Sequence, residues 1–181
     1  MIKVIGGEYR SRNLLTPGPE TVPTKNMTRA GIANALTNLT RGSTILDLFA
    51  GSGAMGIELL SRGAKACTFV DSSKDAISCI KTNIQSLNIN ERCLVLNKDY
   101  ESALSSFTLE SKHFDIVFLD PPYKMVESYN KVLRILLDSN LLNINGAVVL
   151  EYEGDIPFSQ GEYSSIKTYN YGKTHVAILR R

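Results

Sequence analysis

The feature that most constrains the fold is an alternation, from Thr44 onward, of short apolar runs with longer segments of helical period. A short apolar run is typical of a buried strand, and apolar residues spaced three and four apart are typical of a helix that packs against a sheet. Strands that alternate with helices build a mostly parallel sheet, so the pattern predicts an α/β fold. The predicted strands span 44–49, 66–71, 93–97, 113–120 and 146–153, and the predicted helices span 53–62, 73–87, 101–107 and 127–137.

The last part of the sequence breaks this alternation. Two apolar segments, 164–171 and 174–181, are separated only by Gly172 and Lys173. A two-residue connection that contains glycine is typical of a β-hairpin. We therefore expect a pair of antiparallel strands at one end of the sheet.

Residues 1–43 differ in charge from the rest of the chain. They carry six basic and two acidic groups, a net charge of +4, whereas the whole chain carries +2, so residues 44–181 carry −2. Segments 2–5 and 12–15 are predicted to pair as a small ribbon, and 28–39 is predicted to be a helix. A basic segment ahead of a nearly neutral body favours a partner that bears phosphate groups.

Composition narrows the class of protein. A chain of 181 residues that is 43% hydrophobic predicts one domain with a sizeable core. No apolar stretch approaches the roughly 18 residues that span a bilayer, and no signal peptide is apparent, so we expect a cytoplasmic protein outside the membrane. Cys67, Cys79 and Cys93 form no C-x-x-C pair, which predicts reduced packing residues and no metal site.

A glycine-rich loop follows the first strand of the alternation. Gly51, Gly53 and Gly56 form a G-x-G-x-x-G pattern, and Asp71 ends the next strand. Glycines allow a sharp turn and a close approach of ligand to backbone, and an acid at the end of the second strand can accept both hydroxyls of a ribose. The alternative is that the glycines only allow the helix to pack on the sheet.

Two cofactors fit a glycine loop followed by a ribose-binding acid: a dinucleotide and S-adenosylmethionine. Asp47 precedes the glycines, and a carboxylate suits an ammonium and a sulfonium better than a pyrophosphate. Asp99 follows the third strand, where it can accept the amino hydrogens of an adenine. The alternative is that Asp47 and Asp99 are solvated turn residues.

The strand 113–120 ends in the sequence Asp120, Pro121, Pro122, Tyr123. The prolines stiffen the loop, so the Asp120 carboxylate and the Pro121 carbonyl are two fixed acceptors that match an exocyclic NH2 group. Acceptors that hold both hydrogens out of the ring plane aim the nitrogen lone pair at a methyl carbon, and Tyr123 can stack on the base. The alternative is a rigid connection in which Tyr123 merely packs.

These motifs resemble a known family. The sequence DLFAGSGAMGIELLSRGA at 47–64, the acids Asp71 and Asp99, and LDPPY at 119–123 resemble class I S-adenosylmethionine-dependent methyltransferases that modify amino groups. The sequences IGGEYRSRNL at 5–14 and YGKTHVAIL at 171–179, and the pattern P-T-x4-R-x4-N-x-L at 23–36, resemble more narrowly the bacterial RsmD-type enzymes. The similarity covers nearly the whole chain.

The resemblance implies a Rossmann-like, seven-stranded, mostly parallel sheet with a reversed last strand and helices on both faces. It divides the chain into a basic extension, 1–43, and a methyltransferase domain, 44–181. It implies methyl transfer from S-adenosyl-L-methionine to N2 of a specific guanine in 16S ribosomal RNA, with the RNA or the small ribosomal subunit as partner. We expect a monomer without metal.

The resemblance also assigns residues. The cofactor-binding residues would be Asp47, Phe49, Gly51, Ser52, Gly53, Asp71, Ser72, Asp99, Tyr100 and Asp120. The catalytic residues would be Asp120, Pro121, Pro122 and Tyr123, and the RNA-binding residues Arg10, Arg12, Lys25 and Arg29. Neither His113 nor His175 is needed as a base.

One helix departs from the family pattern. An aspartate, an arginine, a glutamate and a phenylalanine are usual where this chain has Asn26, Met27, Ala30 and Ala33. If that helix lines the cofactor or RNA pocket, the pocket has fewer charges here.

Three other functions stay open. DNA adenine-N6 methylation uses the same motif but usually needs a separate target-recognition domain. Glutamine methylation of a protein usually has asparagine in place of Asp120. A non-catalytic RNA-binding assembly factor would not require the intact motifs.

Overall fold

The computed structural model describes residues 2–18, 23–122, 125–159, 161 and 163–181, without the side chains of 23–25. The strands are β1 (Ile2–Lys3), β2 (Asn13–Leu14), β3 (Thr44–Asp47), β4 (Ala66–Asp71), β5 (Cys93–Asn97), β6 (Phe114–Leu119), β7 (Leu142–Glu153), β8 (Ser165–Tyr171) and β9 (Thr174–Arg180). The helices are α1 (Pro23–Ala35), α2 (Thr37–Thr40), α3 (Ala54–Ser61), α4 (Lys74–Leu87), α5 (Tyr100–Leu109) and α6 (Ser128–Asp138), and Asn90–Arg92 is a single 3-10 turn.

Seven strands form one sheet in the order β5-β4-β3-β6-β7-β9-β8. The pairs from β5 across to β7 are parallel, and β9 runs antiparallel to both β7 and β8. The predicted α/β fold with a reversed last strand is therefore confirmed. Because β3 continues to β4 on one side and β6 lies on its other side, the strand order reverses between β3 and β6, where ligands bind in sheets of this kind.

Helices cover both faces of the sheet, because side chains of each strand point alternately to opposite faces. On one face Ile45, Phe118 and Val149 pack in a cluster with residues of α1, α3 and α4. On the other face Leu46 and Val148 pack with residues of α5 and α6. The buried strands hold the carboxyl edge of the sheet in a fixed geometry.

The N-terminal ribbon of β1 and β2 is fastened to α3. Glu58, fully buried, accepts hydrogen bonds from the backbone N–H groups of Ile5 (2.8 Å) and Gly6 (2.9 Å). Its carboxylate also pairs with Arg62 at 2.8 Å and with Arg29 at 3.8 Å. Residues 1–43 thus share a core with the sheet, and their description as a separate extension stays a prediction.

Two elements differ from the sequence prediction. The predicted helix 28–39 is instead α1, which begins at Pro23, followed by a short α2; proline is favoured in the first turn of a helix. The chain leaves the helix at Leu36, which has φ −95° and ψ 3°. Strand β7 begins at Leu142 rather than 146, and the β6–β7 register shifts between Phe114 and Ile116. No helix among the described residues is long and apolar enough to cross a membrane.

Candidate active site

Four carboxylates lie along the carboxyl edge of the sheet, where β3, β4, β6 and β7 end. Asp47 ends β3, Asp71 ends β4, Asp120 follows β6, and Glu151 is near the end of β7. Two cavities of about 660 Å³ and about 280 Å³ open at this edge. The larger one is in the range usual for small-molecule sites, about 300–1,000 Å³.

The larger cavity brings together most of the residues that the sequence predicts. Its lining includes Phe49, Gly51, Asp71, Ser72, Asp99, Tyr100, Asp120, Pro121 and Pro122. The rings of Phe49 and Tyr100 lie 5.5 Å apart at 41°. An apolar, aromatic wall of this kind beside carboxylates suits a flat ring with polar substituents.

The smaller cavity adds the remaining acid of the glycine loop. It is lined by Asp47, Ser52 and Arg29, together with Thr16 to Gly18 of the N-terminal segment. Of the residues that the structure describes, four line both cavities: Phe49, Gly51, Asp120 and Glu151. One ligand can therefore extend from one cavity into the other.

The glycine loop is held by the two acids that flank it. The N–H of Gly51 donates to Asp71 Oδ2 at 2.8 Å, and the N–H of Gly56 donates to Asp47 Oδ2 at 3.1 Å. Gly53 has φ +75° and lines neither cavity. At Gly56 a Cβ atom would lie 2.4 Å from a ring carbon of Phe69, so this glycine allows α3 to pack on the sheet.

Burial perturbs the ionisation of Asp47. Burial raises the pKa of its carboxyl from 3.8 to about 7; the hydrogen bond from Gly56 lowers it, and the charges of Asp120 and Asp71 raise it. Its Oδ1 is buried and accepts no hydrogen bond from any described residue. A cationic donor in the smaller cavity would satisfy this oxygen, so the residues present fit a ligand with an ammonium group.

Asp71 and Asp99 both keep lone pairs for a ligand but already have local partners. The Oδ1 of Asp71 accepts from the N–H of Ser73 at 2.8 Å. Asp99 caps α5, with Oδ1 2.9 Å from the Ser102 nitrogen and Oδ2 2.7 Å from the Ser102 hydroxyl. These hydrogen bonds keep the pKa of Asp99 below its usual value. The predicted contact of Asp99 with adenine would share the carboxylate with this cap.

The sequence Asp120, Pro121, Pro122, Tyr123, predicted to bind an amine, is only partly within the described residues. Asp120 and Pro121 lie at the carboxyl end of β6, where Pro121 is buried and Pro122 is exposed. The Pro122 carbonyl accepts from the Met125 nitrogen at 2.8 Å. Tyr123 lies outside the described residues, so its stacking role stays a prediction.

One of the four predicted RNA-binding residues, Arg29, is buried rather than at the surface. Arg10 is exposed; Arg12 is exposed and donates to the Ser86 carbonyl at 2.7 Å. Arg29 is only 7% exposed, pairs with Glu58 and donates to the Lys3 carbonyl at 2.5 Å. The side chain of Lys25 lies outside the described residues. The geometry of Arg29 favours a role in fastening the N-terminal segment.

The helix that departs from the family pattern also contacts this region. Asn26 is exposed and accepts from Arg29 at 3.2 Å, Met27 is exposed, and Ala33 is fully buried. Through Arg29 this helix reaches the smaller cavity. Of the four departures, Asn26 is therefore connected to the smaller cavity through Arg29.

The sequence does not predict several charged residues that line the larger cavity: Lys98, Glu101, Glu151 and Glu153. Glu151 lines both cavities, whereas the sequence predicts it only as part of a strand. Met125, Val126 and Tyr129, which also line the larger cavity, follow the proline loop. The position of Glu151 at the carboxyl end of a parallel strand was the available signal, because such ends meet at one edge.

The cysteines and histidines line neither cavity of the candidate site. Cys67, Cys79 and Cys93 are free, and the first two are buried. The Nδ1 atoms of His113 and His175 lie 2.7 Å from the Asn140 carbonyl and 2.8 Å from the Asn170 side chain. Within the described ranges no group of three His, Cys, Asp or Glu side chains is arranged to hold a metal ion.

Comparison with known proteins agrees with this architecture. The family model described as "Conserved hypothetical protein 95" matches residues 2–180. A Bacillus subtilis protein named "Putative rRNA methyltransferase YlbH" is 36% identical over 184 residues, 99% of each chain. Ribosomal RNA small subunit methyltransferase D of Haemophilus influenzae is 34% identical over 158 residues, 86% of this chain and 81% of that protein.

A solved structure shows the same fold over the whole length. It is named "Putative methyltransferase yhhF from Escherichia coli", superposes with a TM-score of 0.83 at 26% identity, and covers 99% of this chain and 97% of its own. The family match and the relative from H. influenzae confirm the predicted resemblance. The chain therefore belongs to the conserved hypothetical protein 95 family, the RsmD type of methyltransferase.

Proposed function

We propose that this protein transfers a methyl group from S-adenosyl-L-methionine to the exocyclic N2 of a specific guanine in 16S ribosomal RNA. The observation that carries the proposal is the position of Asp120 and Pro121, which line a cavity together with the glycine loop and Asp71. An amine-binding motif beside a nucleoside-binding edge is what transfer to a base nitrogen requires. The names of the relatives support methylation of small-subunit RNA.

The cofactor would lie across the two cavities. Asp71 would accept the ribose hydroxyls, Phe49 and Tyr100 would border the adenine, and Asp47 would accept the ammonium of the methionine portion. The cofactor supplies a methyl group bonded to a positively charged sulfur. The acids along this edge favour that charge, because carboxylates at the edge of a low-dielectric site attract a cation more strongly than in water.

Asp120 would position the target amine. An amine on a nucleobase is a weak nucleophile because its lone pair is delocalised into the ring. The Asp120 carboxylate and the Pro121 carbonyl would accept its two hydrogens, which favours a pyramidal nitrogen and directs its lone pair toward the methyl carbon. After transfer Asp120 would accept the proton that the nitrogen loses, so no histidine base is needed.

The RNA must present an unstacked guanine. Loops of RNA provide unpaired bases at a lower cost than a duplex, and enzymes that modify bases use such sites or extrude the base. Arg10 and the rest of the basic segment 1–43 would contact the phosphate backbone. The proposal includes action as a monomer without metal in the cytoplasm.

The test is methyl transfer from labelled S-adenosylmethionine to small ribosomal subunits, naked 16S RNA, DNA and total protein in parallel. We expect label in subunits or 16S RNA only. Label in DNA alone would establish the adenine-N6 alternative, and label in protein alone the glutamine alternative. Binding to RNA with no label in any substrate would favour the assembly factor.

A further inference from the structure

Glu151 lies beside Asp120 in the sheet. The β6–β7 register pairs Leu119 with Leu150, so the next residues along the two parallel strands are Asp120 and Glu151. Adjacent strands are about 4.8 Å apart. Phe118 and Val149, two positions earlier on each strand, pack in the cluster on the α3 side, and alternation places Asp120 and Glu151 on that same face.

The backbone around Glu151 is held on three sides. It pairs with β6 on one side and with Val176 of β9 on the other. The hydroxyl of Tyr129, a buried residue of α6, donates to the Glu151 carbonyl at 2.5 Å. A side chain on a rigid central strand is well suited to read a ligand, because little order is lost on binding.

Both carboxylates face space that a ligand can fill. Asp120 and Glu151 line both cavities. Asp47 lines the smaller cavity with them, and its buried Oδ1, without a hydrogen bond from any described residue, can accept from a donor on a ligand in this cavity. Among the described residues that line the smaller cavity, the basic one is Arg29, which is paired with Glu58 and donates to the Lys3 carbonyl.

Two neighbouring carboxylates distinguish the nucleobases. A carboxylate only accepts hydrogen bonds, so two of them side by side require two adjacent donor groups. Guanine presents such a pair, N1–H and the N2 amine, on its Watson–Crick edge. In adenine and in cytosine, the ring nitrogen next to the amine is a hydrogen-bond acceptor. A second carboxylate would repel the lone pair of that nitrogen.

We propose that Glu151 is the residue that selects guanine, by accepting the N1–H while Asp120 accepts from the N2 amine. This inference rests on the proposed function and adds the residue that determines its base specificity. It also excludes adenine from the same pocket by repulsion between the Glu151 carboxylate and adenine N1. A site that pairs with a substrate N–H rejects an analogue that lacks it because a buried group is then left unpaired.

The test replaces the target guanine with 2-aminopurine, which keeps the amine at C2 but has an acceptor at N1. Small subunits are reconstituted with 16S RNA that carries either base at the methylated position, and methyl transfer is measured for the wild type and for Glu151→Gln. We expect the wild type to prefer guanine by about 10- to 100-fold. Glu151→Gln should lose that preference, because its carboxamide can donate to N1 of 2-aminopurine.

The control variant is Glu91→Gln, the same change at an exposed position in the 3-10 turn before β5, at the opposite edge of the sheet. It should keep the wild-type preference. An unchanged preference in Glu151→Gln would overturn the inference and leave the proposed function standing. A loss of cofactor affinity in Glu151→Gln as large as its loss of activity would also overturn it, because Glu151 would then bind the cofactor. Absence of N2-methylguanine in the wild-type product would overturn the proposed function itself.

Discussion

Asp120 is the residue on which the proposed chemistry depends. Replacement by alanine removes the acceptor for one amine hydrogen and for the leaving proton. We expect Asp120→Ala to lower kcat by at least about 10²- to 10³-fold, the usual effect of removing one group that stabilises a transition state. Cofactor affinity, measured by calorimetry, should change no more than a few fold.

The matched control is Asp138→Ala, which removes an exposed aspartate of α6 that lines neither cavity of the site. It should leave kcat and cofactor affinity unchanged. Wild-type turnover by Asp120→Ala would show that the amine is not held by this carboxylate.

Asp47 should make the stability of the cofactor-free protein depend on pH. Its folded-state pKa is about 7, above its ordinary value of 3.8, so the folded protein binds the proton more tightly than the unfolded chain does. The contribution is fully present below about pH 4 and is lost as pH rises to about 7, by on the order of 1 kcal/mol for each pH unit. Asp47→Asn removes this loss.

Urea unfolding of both proteins at pH 5 and pH 8 measures the effect. The free energy of unfolding of Asp47→Asn minus that of the wild type should be more positive at pH 8. An equal difference at the two pH values would show that Asp47 is not protonated in the folded protein near neutrality. The ammonium group of the cofactor is attracted by the ionised form of Asp47. The cofactor affinity of the wild type should therefore fall as pH drops below 7.

At the scale of elements, the contact of the N-terminal ribbon with α3 depends on Glu58. Its carboxylate is fully buried, accepts two backbone N–H groups and faces Arg29, which is itself 7% exposed. Glu58→Ala leaves the Arg29 charge buried without its partner. Removal of one member of a buried pair costs about 3–5 kcal/mol, so the free energy of unfolding should fall by that amount.

A surface ion pair provides the comparison. Glu110 and Lys112 are 3.0 Å apart, Glu110 is exposed and Lys112 is partly exposed, so Glu110→Ala should change the free energy of unfolding by about 1 kcal/mol or less. If urea denaturation gave equal losses for Glu58→Ala and Glu110→Ala, the ribbon would not be fastened through Glu58. Since Thr16 to Gly18 line the smaller cavity, loosening the ribbon should also weaken cofactor binding.

At the scale of the whole molecule, charge is divided between a basic N-terminal segment and an acidic edge of the sheet. Arg10 is exposed within the basic segment. If it contacts one phosphate, Arg10→Ala should weaken RNA binding and reduce the slope of log affinity against log salt by about 1. Titration of 16S RNA at several salt concentrations measures both, while thermal unfolding should be unchanged.

Lys167→Ala is the control, because Lys167 is an exposed residue of the edge strand β8 and lies outside the basic segment. It should preserve the wild-type slope. Equal slopes for the wild type and Arg10→Ala would remove Arg10 from the RNA contact.

Much of the fold was predictable because its signals are local. Apolar periodicity and the two-residue hairpin connection gave the order and type of the elements, and the end of each strand located Asp47, Asp71 and Asp120. The division of the helix at Leu36 was not predictable from periodicity, because Leu36 is fully buried and fits the helical pattern as well as the observed break.

The parts that sequence could not provide depend on distant pairs. Arg29 counts as a basic surface charge in sequence, but Glu58, 29 positions away, holds it inside. The sequence places Glu151 near the end of a predicted strand, but the neighbour that it meets there, Asp120, follows from the β6–β7 register. A count of charges in the sequence does not show which charged side chains lie side by side. The base specificity proposed above depends on one such pair, Asp120 and Glu151.

The most direct test of the account is the identity of the methylated nucleoside. Small subunits that lack the modification are incubated with the protein and S-adenosylmethionine, and the RNA is digested and analysed by mass spectrometry. The account predicts N2-methylguanosine at a single 16S position with the wild type and none with Asp120→Ala. Methyl groups on N6 of adenine, or on guanine with equal yield from both proteins, would contradict it.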